Sequence, residues 1–253
     1  MTNSAFDAST FQVVEPRIRA AAVVLAAGSG SRVGAEQNKV FLPLSGRRVV
    51  SWSLNSFAQV RAVKRFIMVI REEDRRIAEE TVARELGHID VEVVVGGNTR
   101  QRSELAALRH LSRDIAGDDI NVVLIHDGAR PLLAPQMIRT LIHAAAEDQA
   151  AFPAMERDDI RSIRSDGTID MSNPGRLIAA QTPQTFRARP LLAAYEQADA
   201  DGFNGTDTVS CWEQYNDRPV RWVPGDPRNI KITYPGDLLD AERILLDSHL
   251  QVD

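Results

Sequence analysis

Ala21-Ala-Val-Val-Leu-Ala-Ala-Gly-Ser-Gly-Ser-Arg-Val33, with Lys39 downstream, organises the reading of the whole chain. An apolar run of strand character, Ala22 to Leu25, breaks into a loop of small residues, Ala26 to Ser31. Glycines let such a loop bend sharply and leave its N–H groups open to an anion. Arg32 and Lys39 then place two cations within reach of that loop, which suits a polyphosphate. No Gly-Lys-Ser/Thr follows, so the loop is not a Walker A motif. Gly28 and Gly30 begin a dinucleotide fingerprint, but Val33 stands where its third glycine belongs. A plain strand-to-helix turn with two solvated cations explains the same residues.

The chain has 253 residues, 43% of them apolar, a composition that buries a substantial core as one α/β domain or two small ones. No apolar run is long enough for a membrane span, and Asp7 and Glu15 interrupt the start of the chain, against a secretory signal. Residues 1–19 are expected to be a loose tail. Cys211 is the single cysteine, which excludes an intramolecular disulfide and a multi-cysteine metal site and makes a cytoplasmic location the default. A net charge of −5 argues against broad attachment to nucleic acid.

Strand-like and helix-like segments alternate. Strands are expected over 21–25, 66–70, 91–95 and 122–126, and helices over 49–57, 72–86, 101–111 and 135–147. This alternation predicts a mainly parallel sheet with helices on both faces, and such sheets bind ligands at the carboxyl ends of their strands. Loops 26–39, 96–100 and 127–131 therefore share one edge. Beyond Ala151 the pattern changes: Arg157 to Arg164 runs into Ser165-Asp-Gly-Thr168, a hairpin signature. Residues 154–180 are read as a projecting β-arm whose apolar residues need a partner, which makes a homodimer the expectation. An ordinary surface loop is the competing reading.

Gly96-Gly97-Asn98-Thr99-Arg100 closes the third strand, and Ser103 one turn later is placed to bond a base edge. In His126-Asp127-Gly128-Ala129-Arg130-Pro131, an Asp straight after an apolar strand suits a metal that bridges phosphate oxygens, and Arg130 can meet a second anion. His126 reads as either a base or a structural histidine. Gln181-Thr182-Pro183-Gln184 and Asn204-Gly205-Thr206-Asp207 supply hydroxyls, and Asp207 reads better as the N-cap of a helix over 209–215 than as a catalytic group. Asn229-Ile230-Lys231-Ile232-Thr233 alternates like a short strand, with Asn229, Lys231 and Thr233 on one face. No nucleophile elbow is present and no His neighbours Cys211. Several cations, one Asp and no nucleophile serve phosphoryl or nucleotidyl transfer best, because positioning and charge neutralisation supply most of that catalysis.

Taken in order, these loops resemble the cytidylyltransferases that make CDP-linked polyols. The match is closest to the 2-C-methyl-D-erythritol 4-phosphate cytidylyltransferase family, with the ribitol-5-phosphate enzymes as a sister family. It runs over about 20–245. The resemblance implies a Rossmann-like nucleotidyltransferase fold over 20–253, and a dimer in which the arms complete each other's sites. It also implies Mg²⁺-dependent attack of a polyol phosphate on CTP. By matched position, Arg32, Lys39 and Lys231 act on the reacting phosphates. Ala26, Ala27, Gly28, Gly30, Gly97, Asn98, Arg100, Ser103 and Asp127 bind CTP, with Asp127 also the candidate metal ligand. Arg130, Thr182, Thr206 and Asp159 belong to the acceptor.

Three short segments depart from the family's pattern. Asp158-Asp159-Ile160-Arg161 stands where Asp-Thr-Ile/Met-Lys is usual, which puts a carboxylate near an expected anion, and Pro174 replaces an arginine. Asn38-Lys39-Val40 replaces Pro-Lys-Gln and keeps the lysine. The CTP half is thus intact and the acceptor half altered, which keeps ribitol phosphate or another alditol phosphate open as the acceptor. A nucleotide-binding regulator without turnover, or a sugar-1-phosphate nucleotidyltransferase, are the other classes compatible with the opening loop.

Overall fold

The first strand, β1 (Ala20–Leu25), runs through the middle of an eight-stranded sheet. The structure is a computed structural model and describes residues 18–28, 38–160, 165–166, 168 and 176–250. After β1 come a small hairpin, β2 (Pro43–Leu44) and β3 (Arg47–Arg48), then α1 (Val49–Ala58), β4 (Val63–Ile70), α2 (Arg75–Glu85) and β5 (Val91–Val95). The chain continues through α3 (Arg100–His110), α4 (Ser112–Ala116), β6 (Val122–Asp127), α5 (Pro135–Asp148) and β7 (Ala150–Arg157). It ends with β8 (Leu177–Ala180), β9 (Gln184–Arg187), α6 (Ala188–Asp201), α7 (Thr208–Tyr215), β10 (Arg221–Pro224) and α8 (Pro235–Leu250).

The strand order is β10-β7-β9-β6-β1-β4-β5, with β8 added beside β7. β1 pairs in parallel with β4 on one side and β6 on the other, so the chain winds outward through β5 and returns across β1. That reversal opens a crevice at the carboxyl ends of β1 and β6. Alternate residues of β1 feed two cores: Ala20, Ala22 and Val24 face α1 and α5, while Ala21 and Val23 face α3, α6 and α7. Small side chains on this strand let helices pack close on both faces.

The four expected strands and four expected helices are present, with three changes. The helix expected over 72–86 begins as a 3-10 turn, Glu72–Asp74, before α2. The buried Asp74 carboxylate, held by Arg71 and Asn38, anchors that turn. Short β9 inserts antiparallel between β6 and β7, and makes the sheet mixed. The segment 229–233 belongs to no sheet. Its alternation comes from Ile230 and Ile232 packing on Leu44 and Ala241 rather than from a ladder. β7 and β8 pair antiparallel from Ala154↔Ala180 to Arg157↔Leu177. The tip of the expected arm, including 161–164 and 169–175, lies outside the described residues, as does the tail 1–17.

Candidate active site

Four strand ends converge on one cavity of about 680 Å³, within the range of small-molecule sites. Its walls come from Ala27 and Gly28 after β1, Arg71 to Glu73 after β4, Gly96 to Arg100 after β5, and Asp127 to Ala129 after β6. Lys39 and Lys231 complete it. The loop after β4 was missed in the sequence, although the strand-end rule applied to 66–70 would have found it.

Asp127 lies at the floor, only 7% exposed. Arg100 Nη1 reaches its Oδ1 at 2.5 Å, Lys231 Nζ its Oδ2 at 2.8 Å, and Arg130 Nε lies 3.6 Å from Oδ2. Burial alone would raise the Asp127 carboxyl, but Arg100 and Lys231 outweigh it and hold the group well below the ordinary carboxylate range. Asp127 is therefore a fixed negative charge among a surplus of cations. The Lys231 side chain remains 38% exposed toward the cavity. Such a floor attracts a polyphosphate and leaves one lysine able to turn to it.

The segment that delivers Lys231 is tied down on both sides. Asn229 is 1% exposed, and its amide donates to Thr182 O at 2.9 Å. Arg130 Nη1 donates to Asn229 O at 2.7 Å, and Ile232 N to Ala129 O at 2.8 Å. Arg130 is thereby committed to the frame and does not line the cavity.

Gln181 to Gln184 brace the site. The Thr182 hydroxyl accepts from Asp127 N–H at 3.0 Å and donates to His126 Nδ1 at 3.0 Å. That leaves His126 Nε2 to carry the ring proton and donate to Arg130 O at 3.0 Å. Burial lowers His126 to about 4, so it is a neutral structural group with both nitrogens occupied. Gln184 donates to Asp207 and accepts from Val209 N, while Asp207 caps α7 in a capping box with Ser210. Thr182 thus holds Asp127 in place rather than facing the cavity.

Paired glycines at 96–97 answer an internal demand as well. A Cβ on Gly97 would come within 2.4 Å of Arg102 Cβ, and one on Gly128 within 2.8 Å of Leu25 O. Ser103 Oγ lies 3.2 Å from both Gly97 N and O and 2.9 Å from Thr99 O, so it shapes the loop while lining the cavity. Asn38, 2% exposed, donates to Ala26 O at 2.6 Å and to Asp74 Oδ2 at 2.9 Å, and thereby fixes the turn that carries Lys39.

The cavity brings together Ala27, Gly28, Lys39, Gly97, Asn98, Arg100, Ser103, Asp127 and Lys231 from the expected set. Ala26 is fully buried behind it. Thr206 and Asp159 do not line it, and Asp159 forms a bidentate pair with Arg157 at 2.6 Å. Gly30, Arg32, Arg161 and Pro174 lie outside the described residues. Among the described residues no cluster of three or more His, Cys, Asp or Glu forms a ready metal cage. Asp127 is a carboxylate of the kind that holds magnesium together with water and substrate phosphates.

The family model for IspD, 2-C-methyl-D-erythritol 4-phosphate cytidylyltransferase, matches residues 20–247. A protein named 2-C-methyl-D-erythritol 4-phosphate cytidylyltransferase from Geobacillus kaustophilus is 40% identical over 228 residues, covering 88% of this chain and 96% of the relative. Its namesake from Geotalea uraniireducens is 39% identical over 231 residues, covering 90% and 97%. The crystal structure of 4-diphosphocytidyl-2C-methyl-D-erythritol synthase from Anaerococcus prevotii superposes with a TM-score of 0.77 at 29% identity, covering 91% and 97%.

Proposed function

The chain belongs to the IspD family, the 2-C-methyl-D-erythritol 4-phosphate cytidylyltransferases, and from that premise we propose how its cavity works. It is a nucleotidyltransferase that joins CTP to 2-C-methyl-D-erythritol 4-phosphate, releasing pyrophosphate, in isoprenoid precursor synthesis. An acceptor phosphate oxygen attacks the α-phosphorus of CTP, a new P–O bond forms, and the bond to the β-phosphate oxygen breaks. The attacking phosphate is already anionic, so no strong base is required. Catalysis then rests on holding two anions together and stabilising the charge that develops on the α-phosphoryl and leaving oxygens.

Lys231 is assigned to the α-phosphate and incoming phosphate, and Lys39 with Arg32 to the β- and γ-phosphates. The single observation that carries this is Lys231, partly exposed, held over Asp127 on the cavity floor. Ala27, Gly28, Gly97, Asn98 and Ser103 are assigned to cytosine and ribose, and Ala26 supports them from behind. Magnesium, with Asp127 as its protein ligand, would neutralise phosphate charge when bound. Arg130, Thr182 and Thr206 are assigned to the acceptor side, where Arg130 and Thr182 act through the frame.

Residues 20–253 are read as a single nucleotidyltransferase domain. We also propose a homodimer through the β7–β8 arm, on which Ile160 and Ile178 are 41% and 36% exposed. A cytoplasmic location fits the lone, buried Cys211, and among the described residues no helix is long and apolar enough to cross a membrane. Turnover with CTP, ATP, GTP and UTP, with and without chelator, tests this reading. The account requires CTP preference and loss of turnover on chelation, and equal use of all four nucleotides would refute it. Sedimentation velocity tests the dimer: a single 28 kDa species at micromolar concentration would refute it.

A further inference from the structure

One turn along α3 from Arg100 lies a carboxylate that the proposed reaction does not use. Glu104 is 1% exposed, in the apolar core between α3, α6 and α7. Arg100 Nε stands 2.9 Å from its Oε1, Thr208 donates to Oε1 at 3.0 Å, and the Tyr195 hydroxyl donates to Oε2. Burial raises this carboxyl above its ordinary value, and Arg100 and the two hydroxyls offset only part of that rise. The Tyr195 phenol, fully buried beside it, is pushed well above its ordinary value and stays a donor. An apolar side chain would fill this place at less cost, because buried charge pairs rarely repay their desolvation.

The Arg100 guanidinium stands between two carboxylates: Nη1 donates to Asp127 Oδ1, while Nε faces Glu104 Oε1 as an ion pair without hydrogen-bond alignment. Arginine and a lone carboxylate prefer a bidentate pair that occupies both oxygens. Such a pair at Asp127 would take the Oδ2 that Lys231 holds. We propose that Glu104 is a positioning residue, which restrains Arg100 to one oxygen of Asp127 and so reserves the other for Lys231. A continuous path results: Tyr195 and Thr208 fix Glu104, Glu104 fixes Arg100, Arg100 fixes Asp127, and Asp127 presents the lysine.

The inference rests on the function proposed for Lys231 and is tested on the full-length enzyme with Glu104→Gln, alone and combined with Lys231→Ala. The single change should lower kcat by about ten- to a hundredfold, the range for residues behind a functional group. KM for CTP should stay within about threefold, because the nucleotide-binding loops are untouched. In the Lys231→Ala background the same change should cost less than about threefold, since its target is gone. Equal losses in both backgrounds, or a folded Glu104→Gln enzyme with parental kcat, would overturn the proposal. Should Glu104→Gln fail to fold, Tyr195→Phe and Thr208→Val each release one carboxylate oxygen. A several-fold loss of kcat in either supports the proposal, and parental kcat in both overturns it. A parent enzyme without cytidylyl transfer would instead refute the functional reading itself.

Discussion

Lys231 Nζ sits 2.8 Å from Asp127 Oδ2, a pairing between the end of a central strand and a segment near the end of the fold. In the proposed reaction the carboxylate would keep the lysine charge on the cavity floor until the substrate phosphates arrive. Asp127 then remains paired with Arg100, so the site need not create an unpaired buried charge when Lys231 turns to phosphate.

Lys231→Ala should reduce kcat by roughly 10²- to 10³-fold, comparable to loss of one preorganised charge-stabilising donor. CTP binding measured by calorimetry should change only a few-fold. Parental kcat would remove Lys231 from the reacting phosphates, and a loss confined to CTP affinity would make it a ground-state binder.

Thr182→Val keeps the shape of a buried residue and removes the hydroxyl that serves both Asp127 N–H and His126. Leaving those groups unmatched should cost about 1–3 kcal/mol of stability, readable by denaturant titration. A several-fold fall in kcat should accompany it as the Asp127 backbone relaxes. Unchanged stability would mean that water replaces the hydroxyl without penalty.

Asn38→Ala should raise KM for CTP by about tenfold, or about 1.4 kcal/mol, because the turn that carries Lys39 loses its ties to Ala26 O and Asp74. Steady-state kinetics with CTP as the varied substrate gives the answer. An unaltered KM would show that the turn holds its place through backbone bonds alone.

In the proposed dimer, where each arm completes the other subunit's site, Asp159→Thr releases Arg157 from its bidentate pair and frees a cation for the acceptor phosphate. KM for 2-C-methyl-D-erythritol 4-phosphate should fall by roughly three- to tenfold, as expected when a nearby carboxylate is removed. KM for CTP should not move. A rise in acceptor KM would show that the Arg157–Asp159 pair itself shapes the acceptor site.

Local signals in the sequence carried the sheet and most of the loops that line the cavity. The apolar run of β1 breaks into glycines, Gly96 and Gly97 follow β5, and Asp127 closes β6, so the strand-end rule gathers these loops. β9 was hidden because Gln184 to Arg187 is short and polar, and its strand character comes from its neighbours β6 and β7. Alternation at 229–233 imitated a strand, yet Asn229 is buried for its bond to Thr182 O and Ile232 for its packing on α8. Glu104 left no local trace at all. Its partners Tyr195 and Thr208 lie on other helices, and only the fold brings their hydroxyls to it. The resemblance assigns Thr182 and Arg130 to the acceptor by matched position, but their bracing of Asp127 and Asn229 depends on contacts between segments distant in sequence and left no local signal.

Pyrophosphate release with CTP and Mg²⁺, compared across 2-C-methyl-D-erythritol 4-phosphate, ribitol 5-phosphate and glycerol 3-phosphate, tests the central claim most directly. The account predicts a clear preference in kcat/KM for the methylerythritol phosphate, with Asp159 and Pro174 as tolerated variations of the arm. Preference for ribitol or glycerol phosphate, or no release with any of the three, would contradict it.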